Sequence, residues 1–193
     1  MDFAFDIKKT VAASALLCKM EGSDGIDARE LLKMLFLADR SALLTWRRPI
    51  TGDRFVSMPQ GPVLERTYDL IKGIVSGSDK LAWDSAFAPR QNHRIKFQSN
   101  AVFDLDFLSQ REEDALRKAH QIIRKLVSES GGGFIHELHK LLPEWKDPGT
   151  GTWTSAPLPA ERIFQVAGED DETIEKISGE IRAVSRARVS LQA

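Results

Sequence analysis

The stretch between about residue 28 and Pro49 predicts a helix that is apolar on nearly every side. One side carries Leu31, Met34 or Leu35, Ala38 and Ala42 at helical spacing. A second row at the same spacing consists of Leu32, Phe36, Asp39, Leu43 and Trp46. A helix so apolar cannot turn any broad face to water. The pattern therefore predicts a central helix around which the other helices pack.

Both ends of this helix carry sequence signals. Asp27 and Glu30 have the spacing of a capping box, in which Asp27 accepts hydrogen bonds from the first free backbone N–H groups and Glu30 bonds back to the Asp27 N–H. Pro49 pushes the residue before it out of the helical region. We therefore expect the helix to begin near Ala28 and to end before Pro49.

Asp39 interrupts the second apolar row. An ionised carboxylate removed from water without partners is costly, so we expect Asp39 to be paired or to lie at an opening. The cations available nearby are Arg40, Arg47, Arg48 and Arg54. The favoured interpretation is an ion pair that locks the helix to the turn after it. The alternative is a carboxylate that binds a ligand.

The residues after the helix predict a turn, a strand and a second helix. Residues 49–53 have the composition of a turn, and residues 54–58 alternate as a strand does. Gly61 supplies backbone freedom, and Pro62 suits the first position of a helix. This helix is predicted to stop at Gly77.

The rest of the chain adds helices and little strand. Ile7, Val11 and Ala15 lie on one side of a predicted amphipathic first helix, which ends at residues 22–25. Ser109 with Glu112 forms a capping box for a long helix that ends at the three glycines 131–133. Residues 94–97 predict a short strand that we expect to pair with residues 54–58. After Gly168, the stripe Ile174, Ile177, Ile181, Val184, Arg188 and Leu191 predicts a helix that docks on the domain or meets a partner helix.

These elements predict one fold class for the chain. It is a mainly α fold, a single-domain helical bundle around a central apolar helix, with one small antiparallel β-hairpin or short two-stranded sheet. The length of 193 residues and the 42% hydrophobic content suffice for one sizeable core. The predicted single domain spans residues 1–193.

Composition and charge indicate which partners and which cellular compartment to expect. A net charge of -1 gives no general reason to expect binding to nucleic acid or to an anionic membrane. Cys18 is the one cysteine, which suits a reducing cytoplasm. The apolar run after Lys8 and Lys9 is flanked by acidic residues on both sides and is short for an export signal. We therefore expect a cytoplasmic protein without a membrane span.

No catalytic motif stands out. His136 and His139 lie three residues apart on a predicted helix, whereas a zinc-protease helix needs two histidines four apart. The three glycines 131–133 lack the Lys-Ser/Thr of a P-loop. No nucleophile lies in a recognisable elbow. The sequence predicts a protein that is not an enzyme and that needs no metal and no cofactor.

Three segments resemble the opening motifs of a known family. The segments LLKMLFLADR, RRPITGDRF and QGPVLERTYDLIK, in this order, resemble the Panacea domain, the SocA-like family of antitoxins also called phage-associated proteins. The residues of the family pattern are Asp39, Arg40, Gly52, Asp53, Gly61, Pro62 and Val63. His139 and the segment 143–145 resemble a later part of the family, although Glu144 separates Pro143 from Trp145. The resemblance covers about residues 1–160 and leaves 161–193 as a C-terminal helical extension.

The resemblance implies an antitoxin of a type II-like toxin–antitoxin pair, which neutralises a toxin encoded beside it by direct protein contact. In the SocA branch the antitoxin also acts as a proteolytic adaptor that presents its toxin to a ClpXP-type protease. Residue types enriched at interfaces make Arg48, Phe55, Met58 and Tyr68 our candidates for toxin contact. The alternative for Phe55, Met58 and Tyr68 is that they line the core.

Two other classes of function stay open at this point. A nucleic-acid-binding regulator would need Arg40, Arg47, Arg48 and Arg54 on one exposed face. A metal-assisted enzyme would need His136 and His139 to come together with Asp39. Both are ranked below toxin binding.

Overall fold

The helical periodicity of the sequence is realised along most of the chain, which confirms a mainly α fold. A computed structural model describes residues 1, 3–98, 105–149 and 155–192, without the side chains of residues 105 and 185–192. The helices are α1 (Ile7–Glu21), α2 (Ala28–Trp46), α3 (Glu65–Lys72), α4 (Ser78–Ala86), α5 (Gln110–Ser130), α6 (Phe134–Lys140), α7 (Ala160–Val166) and α8 (Asp171–Gln192). The strands are β1 (Ile26–Asp27), β2 (Phe55–Met58), β3 (Gly61–Leu64), β4 (Arg94–Ile95) and β5 (Ala156–Pro157).

Helix α2 is the central helix, as its apolar pattern predicts. Leu31, Met34, Phe36 and Leu43 are completely buried, and the helix contacts α1, α5, α7 and β3. Burying one such side chain is worth about 1.5–3 kcal/mol. Neighbours therefore cover α2 on several sides, and it supplies a large share of the core.

The start of α2 follows the predicted cap in part. Asp27 accepts hydrogen bonds from the backbone N–H groups of Arg29 and Glu30, at 2.9 and 3.4 Å. The predicted reciprocal bond between the Glu30 side chain and the Asp27 N–H is wrong, because the Glu30 carboxylate pairs with Arg124 of α5 instead. A cap that faces another helix can exchange its local bond for an ion pair between the two helices.

Helix α2 ends at Trp46, before Pro49 as predicted. Arg47 adopts the left-handed conformation with φ 61°, and its N–H donates to Leu43 O at 2.9 Å. A left-handed residue at this position satisfies a free carbonyl of the last turn and stops the helix. The chain then reverses toward the N-terminal segment.

The sheet beside α2 is built around a small antiparallel β-hairpin, which confirms the hairpin of the predicted fold class, although its second strand was not predicted. Strands β2 and β3 pair antiparallel, with Phe55 opposite Leu64 and Met58 opposite Gly61. The predicted helix start at Pro62 is wrong, because Pro62 lies in β3 and α3 begins only at Glu65. Proline is tolerated there because β3 is an edge strand of the sheet β3–β2–β5.

Two other predictions in this part of the chain are wrong. Residues 94–97 do not pair with β2, since β4 pairs with β1 and places Ile95 opposite Ile26. The predicted helix up to Gly77 ends earlier, because Gly73 adopts φ 74° and caps α3. Helix α4 was missed altogether, since Trp83 and Ala86 are its only buried side chains and two residues make no recognisable stripe.

The C-terminal half matches its predicted pattern more closely. The capping box of Ser109 and Glu112 opens α5, and a 3₁₀ turn over Gly131–Gly133 separates it from α6. Ile174 and Ile177 of α8 are buried against the domain, whereas the side chains of Arg188 and Leu191 lie outside the described residues. Within the described ranges, no helix combines the length and the apolar character that a bilayer crossing requires.

Candidate functional site

Asp39 fixes the end of α2 to the turn that follows. The Asp39 side chain is 1% exposed, and it accepts hydrogen bonds from the N–H groups of Ile50 and Thr51, at 2.9 and 3.1 Å, and from the Thr51 hydroxyl. Burial raises the pKa of Asp39 to about 7, and the bonds from Thr51 oppose this rise. The predicted ion pair is wrong, because backbone donors take the place of a cation. The predicted lock between helix and turn nevertheless exists.

Asp53 fixes the other end of the same turn. Its carboxylate accepts hydrogen bonds from the N–H groups of Arg54, Arg66 and Thr67, at 2.7, 3.0 and 2.8 Å, and from the Thr67 hydroxyl at 2.7 Å. Desolvation raises the pKa of Asp53, and the four donors oppose it. These bonds satisfy free N–H groups in the first turn of α3. The two aspartates therefore hold α2, the hairpin and α3 in one fixed arrangement.

Held in this way, the hairpin closes over the side of α2 and leaves a pocket of about 230 Å³. We call it the hairpin pocket. Its walls include Arg29, Leu32 and Lys33 from α2, Met58, Gly61 and Val63 from the hairpin, and Tyr68 from α3. The nine residues that line it include two cations and no acid.

Lys33 forms the base of the hairpin pocket. The side chain is 2% exposed, and its Nζ donates one hydrogen bond, to Pro62 O at 2.8 Å. An ammonium group has three N–H donors, so one acceptor compensates its burial incompletely. Burial therefore lowers the pKa of Lys33 from 10.5 to about 7.

His139 approaches the same place from α6. Its ring stacks on Trp145, with centroids 3.7 Å apart and planes at 19°, and the Trp145 Nε1 donates to Met58 O at 3.0 Å. The Nε2 atom of His139 is buried and has no hydrogen-bond partner among the described residues. Burial and the neighbouring charge of Lys33 lower the pKa of His139. The Gln60 backbone and the charge of Asp147 raise it, but by less.

Gly61 allows these two nitrogens to come together. The residue has φ 92°, and a Cβ atom there would lie 2.7 Å from His139 Nε2 and 3.1 Å from Lys33 Nζ. Only a residue without a side chain fits so close to both groups. The family motif at Gly61 therefore serves the hairpin pocket as well as the backbone of β3.

Lys33 gives the stability of the fold a predictable pH dependence. Between pH 7 and pH 10.5 the unfolded chain binds more protons at Lys33 than the folded chain does, so the free energy of unfolding rises with pH. One such group contributes at most about 1.4 kcal/mol per pH unit. Lys33→Met removes this contribution. Urea unfolding at pH 7, 8 and 9 should therefore show a steeper rise for the wild type than for the variant.

The comparison ends at pH 9 because another group acts above it. Burial, with the charge of Glu21, raises the pKa of the Cys18 thiol from 9.0 to about 12. Above pH 9 the folded chain keeps this proton longer than the unfolded chain, and stability falls. Equal slopes for wild type and Lys33→Met between pH 7 and pH 9 would contradict the lowered pKa of Lys33.

The structure separates the four candidates for toxin contact. Met58 and Tyr68 line the hairpin pocket and are half-buried. Phe55 is 6% exposed and packs edge to face on Phe36, with centroids 5.6 Å apart. Arg48 is exposed just beyond the C-terminal end of α2, about 20 Å along the helix axis from the pocket. The structure thus brings Met58 and Tyr68 together and places the other two elsewhere.

Sequence reasoning missed Lys33, although a signal was present. Lys33 stands between Leu32 and Met34 in a helix with almost no polar residue on its inner sides. A buried lysine is costly without partners for the same reason as the buried carboxylate of Asp39. The unpaired nitrogen of His139 had no such signal, because the contact depends on how α6 packs against the hairpin.

The alternative functions find little support in the arrangement of their residues. Ion pairs engage Arg40 with Glu144 at 2.5 Å, Arg47 with Glu169 at 2.8 Å and Arg54 with Glu65 at 2.7 Å. These arginines are therefore largely neutralised and do not form a free basic face. In the part of the chain that the structure describes, His136 and His139 join no group of three or more residues that could hold a metal ion.

The structure thus has a helical scaffold with a small pocket that two basic residues line. Comparison with protein families identifies the family of the chain. The chain belongs to the SocA-like antitoxin family, because the family model described as "Antitoxin SocA-like, Panacea domain" matches residues 31–146. This match confirms the family predicted from the motifs, supports an antitoxin role and suggests a role without catalysis. Comparisons with curated proteins and with solved structures found no match.

Proposed function

We propose that this chain is the antitoxin of a type II-like toxin–antitoxin pair and neutralises its toxin by direct protein–protein contact in the cytoplasm. One observation carries the proposal. The family match, residues 31–146, contains Asp39, Asp53 and every residue that lines the hairpin pocket except Arg29. The matched residues thus include the surface that the proposal assigns to the toxin. The buried single cysteine, Cys18, suits the reducing compartment.

The contact surface in this proposal is centred on the hairpin pocket. Met58 and Tyr68 are half-buried at its walls, so a partner can cover them without unfolding anything. Arg48 provides a second contact at the far end of α2 for a toxin large enough to span both. Phe55 supports β2 from inside the core and does not reach the surface.

We propose that residues 1–193 form one domain. Helices α1 and α7 lie outside the matched residues, yet both pack on α2. Ile163 and Phe164 of α7 are completely buried. The platform that the toxin contacts therefore depends on segments beyond the matched part.

A second role in the proposal is delivery of the toxin to a ClpXP-type protease, as the resemblance to SocA implies. Sequestration and delivery make different demands on the chain, because only delivery requires the bound toxin to reach a protease. Purified protease added to the complex distinguishes them. Delivery shortens the half-life of the toxin only when this chain is present, whereas sequestration leaves the half-life unchanged or longer.

The test uses the protein encoded by the neighbouring gene. We expect this protein to stop growth when it is produced alone, to be neutralised by the wild-type chain and to co-purify with it. Met58→Ala and Tyr68→Ala should each weaken binding by roughly tenfold or more, since half-buried Met and Tyr side chains are typical anchors. Calorimetry gives the affinity, and rescue of growth gives the activity.

Ile122→Ala provides the matched control. Ile122 lies on α5, is 42% exposed and is a large apolar residue outside the hairpin pocket, so its replacement should leave binding unchanged. Rescue of growth without any complex would point to a mechanism other than direct contact and would overturn the proposal. Full binding by both the Met58 and Tyr68 variants would place the contact surface elsewhere on the chain.

A further inference from the structure

Two buried nitrogen atoms, one at the base of the hairpin pocket and one behind Gly61 of its wall, have hydrogen-bonding capacity that the fold leaves unused. Lys33 is almost fully buried with a single hydrogen bond, and the buried Nε2 of His139 has none among the described residues. On both sides of Lys33 in sequence the helix buries Leu32 and Met34, so an apolar side chain at this position would be compatible with the packing. An incompletely paired cation that destabilises the free protein is typical of a binding site.

The charge of the hairpin pocket selects the charge of its occupant. Lys33 lies at the base and Arg29 at the rim, and the nine lining residues include no aspartate or glutamate. The Arg29 side chain is 58% exposed, and its contact with Asp27 is 3.4 Å long. A cation held this loosely is free to attract an incoming anion. The complementary group is therefore negative.

The size and the walls of the hairpin pocket select a single side chain. A volume of about 230 Å³ lies below the roughly 300–1,000 Å³ of pockets that enclose small-molecule ligands and cofactors. Leu32, Val63 and Met58 form apolar walls above the Lys33 amine. Methylene groups fit against such walls while a terminal carboxylate reaches the base. This is the shape of a glutamate or aspartate side chain.

We propose that the hairpin pocket binds one carboxylate side chain of the toxin, which pairs with the Lys33 ammonium at the base of the pocket. This inference rests on the proposed function, because it names the group on the toxin that the same surface recognises. The carboxylate supplies an acceptor that Lys33 lacks. The Nε2 atom of His139 lies beside the same glycine, Gly61, as the Lys33 amine. The toxin thus completes a polar cluster that the free chain leaves unfinished.

The first experiment compares Lys33→Met with the wild type in binding to the protein encoded by the neighbouring gene. Removing one partner of a buried ion pair should weaken binding roughly 30-fold or more. Thermal unfolding should show equal or higher stability at pH 7, since the variant buries no amine. This opposite response separates a binding residue from a structural one. Lys118→Met, on the exposed side of α5, is the matched control and should change neither quantity.

The second experiment measures proton uptake by the wild type, which needs no variant to fold. The titratable and charged side chains that face Lys33 among the described residues are Arg29 from α2, Tyr68 from α3 and His139 from α6. A carboxylate beside Lys33 favours its charged form. At pH 8, binding should therefore take up as much as about one proton, seen as a dependence of the binding enthalpy on the ionisation enthalpy of the buffer.

A third experiment tests the pocket without the toxin. N-acetyl-glutamate N-methylamide should shift the NMR signals of the Gly61 and Tyr68 amides in the wild type but not in Lys33→Met, and the matching glutamine compound should shift neither. Failure of the wild type to bind the neighbouring gene's protein would overturn the proposed function alone. Unchanged toxin affinity in Lys33→Met without proton uptake, or equal effects of the glutamate and glutamine compounds, would overturn the carboxylate inference.

Discussion

Replacement of Asp39 by alanine is expected to lower the free energy of unfolding by roughly 3–5 kcal/mol. The change leaves the buried N–H groups of Ile50 and Thr51, and the Thr51 hydroxyl, without their acceptor. Each unpaired buried donor costs about 1–3 kcal/mol. Urea unfolding at pH 7, followed by circular dichroism, measures the loss.

Two further variants make this result specific. Asp39→Asn keeps an oxygen that accepts the two backbone bonds, so it should lose only about 1–2 kcal/mol. Ser41→Ala, at an exposed position of the same helix, should be neutral. The difference between wild type and Asp39→Ala should not shrink between 0.1 and 1 M NaCl, as it would for an ion pair. A loss below 1 kcal/mol in Asp39→Ala would contradict the lock.

Gly52→Ala should be the second strongly destabilising change, with a loss of roughly 3–4 kcal/mol. Gly52 has φ 67°, which costs an alanine about 1–2 kcal/mol. A Cβ atom would also lie 2.1 Å from Ala4 O, so the N-terminal segment would have to move. That movement breaks the 2.8 Å bond from Asp6 N–H to Thr51 O. Hydrogen exchange at the Asp6 amide should therefore accelerate along with the fall in stability.

Gly132→Ala is the matched control for this change. A Cβ atom at Gly132 meets nothing within 4 Å, and its φ lies outside the left-handed region. We expect a change within about 0.5 kcal/mol, or a slight gain from the reduced freedom of the unfolded chain. If Gly52→Ala behaved like Gly132→Ala, the close approach of the N-terminal segment would not constrain the turn.

Local signals in the sequence were sufficient to place the central helix. Asp27 and the apolar rows predicted the start of α2 at Ala28 because a cap and a buried stripe depend on neighbours within a few residues. The second strand of the hairpin was missed because Gly61-Pro62 suits both a helix start and an edge strand. Whether Gly61 and Pro62 begin a helix or lie in a strand depends on their pairing with β2 and on the pairing of β5 with β2. No local sequence pattern shows these contacts.

The candidate site shows the same division. The cost of burial correctly predicted that Asp39 needs partners. Backbone N–H groups are present at almost every residue and give no sequence signal, so an arginine was predicted as the partner instead. Met58 and Tyr68 were placed at a surface from residue type alone, and the structure puts both at the hairpin pocket. Phe55, selected on the same grounds, lies in the core. Residue type does not distinguish an interface from a core, because both favour large apolar side chains.

The two prolines of the sheet determine how another protein can approach it. Pro62 directs its carbonyl away from β2, toward Lys33. Leu158 N–H donates to Phe55 O, so the residue before it, Pro157, points its backbone outward. Both margins of the sheet thus present a residue without an N–H to donate. A continuous ladder with an added strand is blocked on either side, which leaves side chains as the means of recognition. In the proposed function, a change of partner would therefore require substitutions around the rim and no change of the backbone.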